Sequence, residues 1–257
     1  MSAEAIVRDE PSARISPRAL QQLRWLGGGL ALGFAVPFVF ADRLHLQRDL
    51  YYGIYAVSVF GFFVAWTRTT DQSLRDMVRR RWLLAAVLGL VFAAGMAFMV
   101  IRVADATPRP DSATVAAAVL WRGVVYGATD GLLLSAFPIL AMFAAFEGTT
   151  LRSKVRGKLL IGCAAMVASL AMTAAYHLGY SDFRSSRLRS PLTGDVMWSV
   201  PTLVTLNPIG APIAHIGLHV TAVLHSYDTD LFLPPHADGV GSDAGTGSSR
   251  DPSATTA

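Results

Sequence analysis

Long runs without a formal charge alternate here with short segments crowded with arginine. A helix rises about 1.5 Å per residue, and the hydrocarbon core of a bilayer is about 30 Å thick, so roughly 20 apolar residues make one crossing. Runs of about this size occupy residues 24–41, 50–67, 82–103 and 159–177, a longer one fills 113–146, and two shorter ones fill 196–206 and 209–224. Only 16% of the 257 residues are charged and 53% are hydrophobic, whereas a soluble domain carries about a quarter charged residues. Mean hydropathy is +0.43. Such a chain is neither a water-soluble enzyme nor a disordered polypeptide, which needs the opposite composition. The expected fold is all-α, a polytopic transmembrane bundle of about 6–7 spans.

The basic residues serve orientation. Lysine occurs only at Lys154 and Lys158, and the rest of the positive charge is arginine. With the N-terminus inside, segments 1–24, 68–81 and 147–158 hold thirteen basic residues, and segments 42–49, 102–112 and 180–195 hold seven. That bias predicts an integral cell-membrane protein with a cytoplasmic N-terminus. No stretch interleaves basic and aromatic residues as a nucleic-acid surface would, so the expected partner is the lipid bilayer, with any peptide or membrane-protein partner unidentified. Cys163, the only cysteine, sits in an apolar run and has no intrachain disulfide partner.

Three regions follow. Residues 1–23 read as a polar cytoplasmic arm ending in a short amphipathic helix after Ser16-Pro17, 24–224 as the transmembrane domain, and 225–257 as an acidic, then Gly/Ser/Thr-rich disordered tail. Tyr51-Tyr52 and Trp66 bracket the second run as an interfacial aromatic belt would. The run 113–146 is long for one straight span and short for two. Gly127, Asp130-Gly131 and Pro138 mark where it bends or breaks, and one bent helix is favoured over two short ones.

An ionisable side chain at mid-membrane costs about 2.5–3.5 kcal/mol on insertion scales. Those inside the apolar runs are Arg122, Asp130, His177, His215 and His219, with Tyr126 and Tyr176 close by in sequence. His215 and His219 stand four apart and share a helix face. With His177 they form a candidate metal set for a divalent ion such as zinc, leaving a position open for water. The segment lacks the glutamate of a zinc-protease His-Glu-x-x-His, and interhelical hydrogen bonding is the plainer role for histidines so placed. Arg122 either joins such a site or snorkels to the outer interface. Asp130 serves either as an interhelical hydrogen-bonding group or as an acid/base or metal-binding carboxylate.

Taken in order, three segments resemble the CPBP family, the Abi/CAAX-protease-like intramembrane proteins. That family carries Glu-Glu-x-x-x-Arg, Phe-x-x-x-His and His-x-x-x-Asn/Asp on successive helices. Ala117-Ala118-Val119-Leu120-Trp121-Arg122-Gly123 keeps the aromatic, arginine and glycine but has alanine for both glutamates. Thr173-Ala174-Ala175-Tyr176-His177 keeps the histidine and loses the phenylalanine, and the segment from Gly210 to His219 has histidine in the Asn/Asp place. The resemblance covers about 113–224. It implies a helical core in which a glutamate would activate water while histidine and asparagine position it. Alanine cannot accept a proton, so the resemblance implies a non-catalytic binding, scaffold or immunity-type protein. The alternative is a CAAX-protease-like hydrolase using His177, His215 and His219, with Arg122 and Asp130, with or without a metal. A small transporter is the third class, although no internal repeat is visible.

Overall fold

The computed structural model describes residues 16–227 and 232–235. The first fifteen residues of the expected arm and most of the expected tail lie outside the described residues. Among the described residues there is no strand. Five helices are long and apolar enough to cross a membrane: α1 Pro17–Arg43, α2 Arg48–Thr69, α3 Trp82–Val103, α4 Ser112–Ala145 and α5 Val155–Leu178. Three shorter helices follow: α6 Arg189–Trp198, α7 Val200–Thr205 and α8 Gly210–His225. Five apolar helices fit a multi-pass membrane protein.

The helix expected after Ser16 and the first span are one element. The Ser16 hydroxyl caps α1 by accepting from Ala19 N at 3.1 Å, and the helix runs on without a break. Its polar first turns belong in the bundle because Gln22 is buried and accepts the Trp66 indole N–H at 2.8 Å. The tyrosines and tryptophan bracketing α2 are also inside rather than at an interface: Tyr51, Tyr52 and Trp66 are all buried. Trp82, at the mouth of α3, is exposed.

Residues 112–145 form one continuous helix. Two π segments, Val119–Val125 and Gly131–Ala136, interrupt its α geometry, and Pro138 falls in the turn after the second. In its most apolar window α4 is 89% buried, against 28–44% for the other four long helices. It is therefore the central helix, and the others shield it. Their outer faces present Leu83, Leu90, Phe98 and Leu159, the apolar surface expected toward lipid.

Hydrogen bonds between connectors define two ends. At one, Arg18 pairs with Glu147, Gln21 donates to Thr69 O at 2.9 Å, and Asn207 Nδ2 donates to Val78 O and Arg80 O at 2.7 and 2.6 Å. At the other, Arg184 reaches Asp42, Arg122 reaches Asp49, and Arg109 donates to Leu224 O. The paired helices α6–α7 and the single helix α8 therefore also run from end to end. The 16 residues of α8 span only about 24 Å. Beyond α8, Leu233 is buried against the bundle and Arg48 donates to Pro235 O at 3.0 Å.

Candidate metal centre

Helices α4 and α8 run antiparallel and nearly touch. Gly123, Gly127 and Gly131 recur every four residues on α4. A Cβ at these positions would stand 2.7 Å from Val220 Cγ2, 2.9 Å from Ile216 Cα and 2.5 Å from Pro212 Cα. Those separations exclude a side chain, so the glycine stripe sets the interhelical distance, as small residues do inside membranes. The other side of α8 is equally close: a Cβ on Gly89 of α3 would meet Gly210 O at 2.8 Å, and Gly217 lies directly on Ala93. The glycines expected to mark breaks in α4 are thus packing surfaces.

This close approach lets a short carboxylate reach across. Asp130, His215 and His219 are all buried, and one donor-type atom from each lies within 4.8 Å of the others. His219 Nε2 is 3.4 Å from Asp130 Oδ2. The two are not in hydrogen-bonding geometry: both nitrogens of His219, Asp130 Oδ1 and His215 Nδ1 have no hydrogen-bond partner. Four buried polar atoms without partners are costly. Two ligands about 2.1 Å from a tetrahedral ion stand about 3.4 Å apart, which is the His219–Asp130 separation. Two imidazoles and a carboxylate suit zinc, iron, cobalt or manganese. The group could hold such an ion.

Register explains why these residues meet. His215 and His219 are four apart, one turn of α8. Opposite them on α4 are Ser135 and Asp130, five apart. The π segment Gly131–Ala136 bonds i to i+5 and winds less per residue than an α-helix, which brings the five-residue step closer to a whole turn; both side chains face α8. Ser135 Oγ lies 3.4 Å from His215 Nε2.

Ser135 also belongs to a second buried cluster. Asp195 Oδ1 accepts from Ser135 and Ser199 at 3.0 Å each, from the Trp198 indole at 3.1 Å and from Ser169 at 3.3 Å. The Trp198 ring packs on His215, with centroids 4.6 Å apart. On the opposite side of the centre lie six of the seven tyrosines, all buried: Tyr51, Tyr52, Tyr55, Tyr126, Tyr176 and Tyr180. The Tyr176 hydroxyl bonds those of Tyr126 and Tyr180 at 2.8 Å each, and Tyr180 bonds Tyr51 at 2.6 Å. Tyr126 stacks on Tyr52 and meets the His219 ring edge-on, at centroid distances of 4.0 and 4.8 Å.

The remaining sequence candidates sit elsewhere. His177, in the last turn of α5, donates from Nδ1 to Thr173 O at 2.8 Å and packs against Tyr176 and Phe183. The carboxylate of Asp130, not the imidazole of His177, completes the group with His215 and His219. Arg122 makes a bidentate pair with Asp49, at 2.9 and 2.8 Å, near the end of the bundle. Ala117 is exposed, while Ala118 packs in the hydrophobic core.

Four functional-site features escaped the sequence reading. Ser135 is hidden in an apolar run, Asp195 resembles a connector residue, Asp49 lies at a helix start, and Tyr51 and Tyr52 read as a belt. One signal was legible in principle: Asp130 and Ser135 are five apart, facing a His-x-x-x-His. No family model, curated protein or solved structure matches the chain.

Proposed function

We propose that this chain is a multi-pass membrane protein of seven passes, N-terminus inside, whose CPBP-like core binds a divalent transition metal such as zinc on Asp130, His215 and His219 and does not cleave peptides. One observation carries the metal assignment: a buried carboxylate and two buried imidazoles place one ligand-type atom each within 4.8 Å of the others, and four of their six nitrogen and oxygen atoms have no hydrogen-bond partner. The seven-pass topology is supported by the connector hydrogen bonds at the two ends and by the arginine bias. The CPBP-like core is supported by the order of its motif segments on α4, α5 and α8, with α4 packed between the other two.

The non-catalytic role is supported by distance. Positions 117 and 118 lie 12–13 residues before Asp130 on α4, about 18–20 Å along the axis. A glutamate restored there stands far from the histidines and creates no cleavage of a CAAX-type peptide. The metal reading is tested by elemental analysis of detergent-purified protein after dialysis against Zn2+. The wild type retains one equivalent. Asp130→Asn and His219→Ala retain less than a tenth, while the metal-free Asp130→Asn protein melts no lower than metal-free wild type, because the substitution removes an uncompensated charge. Equal zinc in wild type and Asp130→Asn would overturn the assignment.

A further inference from the structure

Ser135 touches both the metal-ligand group and the Asp195 cluster, and its hydroxyl has a single hydrogen to give. Asp195 Oδ1 takes that hydrogen at 3.0 Å, as it takes the hydrogens of Ser199 and the Trp198 indole. An indole nitrogen can only donate, so Oδ1 is the accepting atom of this cluster. With its hydrogen committed, Ser135 Oγ faces His215 Nε2 as an acceptor, at 3.4 Å. That contact calls for the imidazole hydrogen on Nε2. The lone pair then falls on Nδ1, the buried His215 atom without a hydrogen-bond partner.

We infer that Asp195, acting through Ser135, is a positioning residue that fixes His215 as its Nε2–H tautomer and so presents Nδ1 as the metal ligand. This rests on the metal reading above. It assigns a role to a carboxylate that reaches no ligand directly: outer carboxylates commonly fix the tautomer and orientation of ligating histidines, and here a serine relays the effect. The remaining donors explain why the arrangement holds its direction. The single Ser169 hydrogen is shared between Leu134 O at 2.8 Å and Asp195 Oδ1 at 3.3 Å, and Ser199 Oγ is 2.9 Å from Ser169 Oγ, so Asp195 is held from α4, α5 and its own helix. The Trp198 ring against His215 limits the imidazole's freedom to turn over.

The experiment combines 15N NMR of imidazole-labelled protein in nanodiscs with Co2+ titration followed by d–d absorption. In metal-free wild type, His215 shows a hydrogen-bearing Nε2 and a bare Nδ1, and Zn2+ shifts the Nδ1 resonance. Ser135→Ala, folded by size-exclusion profile, gives mixed tautomers at His215 and a 10- to 100-fold weaker Co2+ affinity. Ser135→Thr and Asp195→Asn, which keep the relay hydroxyl and the acceptor oxygen respectively, retain the Nε2–H form, whereas Asp195→Leu loses it. A hydrogen on Nδ1 in the wild type, or a Ser135→Ala protein with unchanged tautomer and Co2+ affinity, overturns the inference. An Nε2–H tautomer in a wild type that binds no Co2+ refutes the metal reading while leaving the relay in place.

Discussion

The central helix α4 faces two different polar environments. Toward α2 and α5 it meets aromatic rings whose hydroxyls bond one another: Tyr51, Tyr126, Tyr176 and Tyr180 close a network with contacts of 2.6–2.8 Å. Toward α8 its own glycines let the two backbones meet, and its Asp130 carboxylate faces the imidazoles of His215 and His219, with four of their six nitrogen and oxygen atoms without partners. Both regions place polar atoms where an unsatisfied group is expensive. Four of the six tyrosine hydroxyls resolve that cost among themselves, and the atoms left over are two neutral hydroxyls, those of Tyr52 and Tyr55. The Asp130–His215–His219 group does not resolve it, and an ion is what its spacing fits. A buried polar cluster thus points to a ligand when its internal hydrogen bonds fail to close, not merely because it is buried.

The contrast is broken most severely at the glycine seam. Gly131→Val drives a branched side chain into the α8 backbone, where even a Cβ would lie 2.5 Å from Pro212 Cα. The expected cost is about 3 kcal/mol, with complete loss of zinc, read by thermal melting in detergent and elemental analysis. The tyrosine side responds differently. Tyr176→Phe removes the hub hydroxyl and leaves its neighbours short of partners, lowering stability by about 1–2 kcal/mol, while Co2+ affinity stays within twofold of wild type. If Tyr176→Phe abolishes metal binding, the two regions are one functional unit and the contrast fails. The smallest effect is expected at the end of the bundle. Arg122→Gln breaks a partly exposed pair with Asp49, costing at most about 1 kcal/mol and leaving Co2+ affinity unchanged.

The sequence made the five long helices legible, because each is a run of apolar residues near the bilayer's length and little else competes with that signal. That residues 112–145 form one long helix of 34 residues was also legible, from the length of the run. The role of its glycines was not: Gly123, Gly127 and Gly131 matter through partners 81 to 97 residues away, and no local pattern names those partners. Asp130, His215 and His219 were recognisable as costly residues. Which of them converge depends on how closely α4 and α8 approach each other, and that no single segment shows; the π segment, which turns Ser135 to the same face, is likewise not anticipated by α-helical periodicity. His177 had the same credentials as His215, yet its ring nitrogen bonds its own helix at Thr173 O. Tyr51 and Tyr52 looked interfacial because tyrosine at a span's end usually is. They are buried because other tyrosines supply a polar and stackable environment in the interior.

The central claim is that α4 and α8 together hold one metal ion. X-ray absorption at the zinc edge, on protein reconstituted with one equivalent of Zn2+, tests it most directly. The account predicts a first shell of nitrogen and oxygen at about 2.0–2.1 Å, with multiple-scattering features of two imidazoles that fall to one in His219→Ala. A sulfur shell at about 2.3 Å, placing the ion on the exposed Cys163, or a shell without imidazole would contradict it.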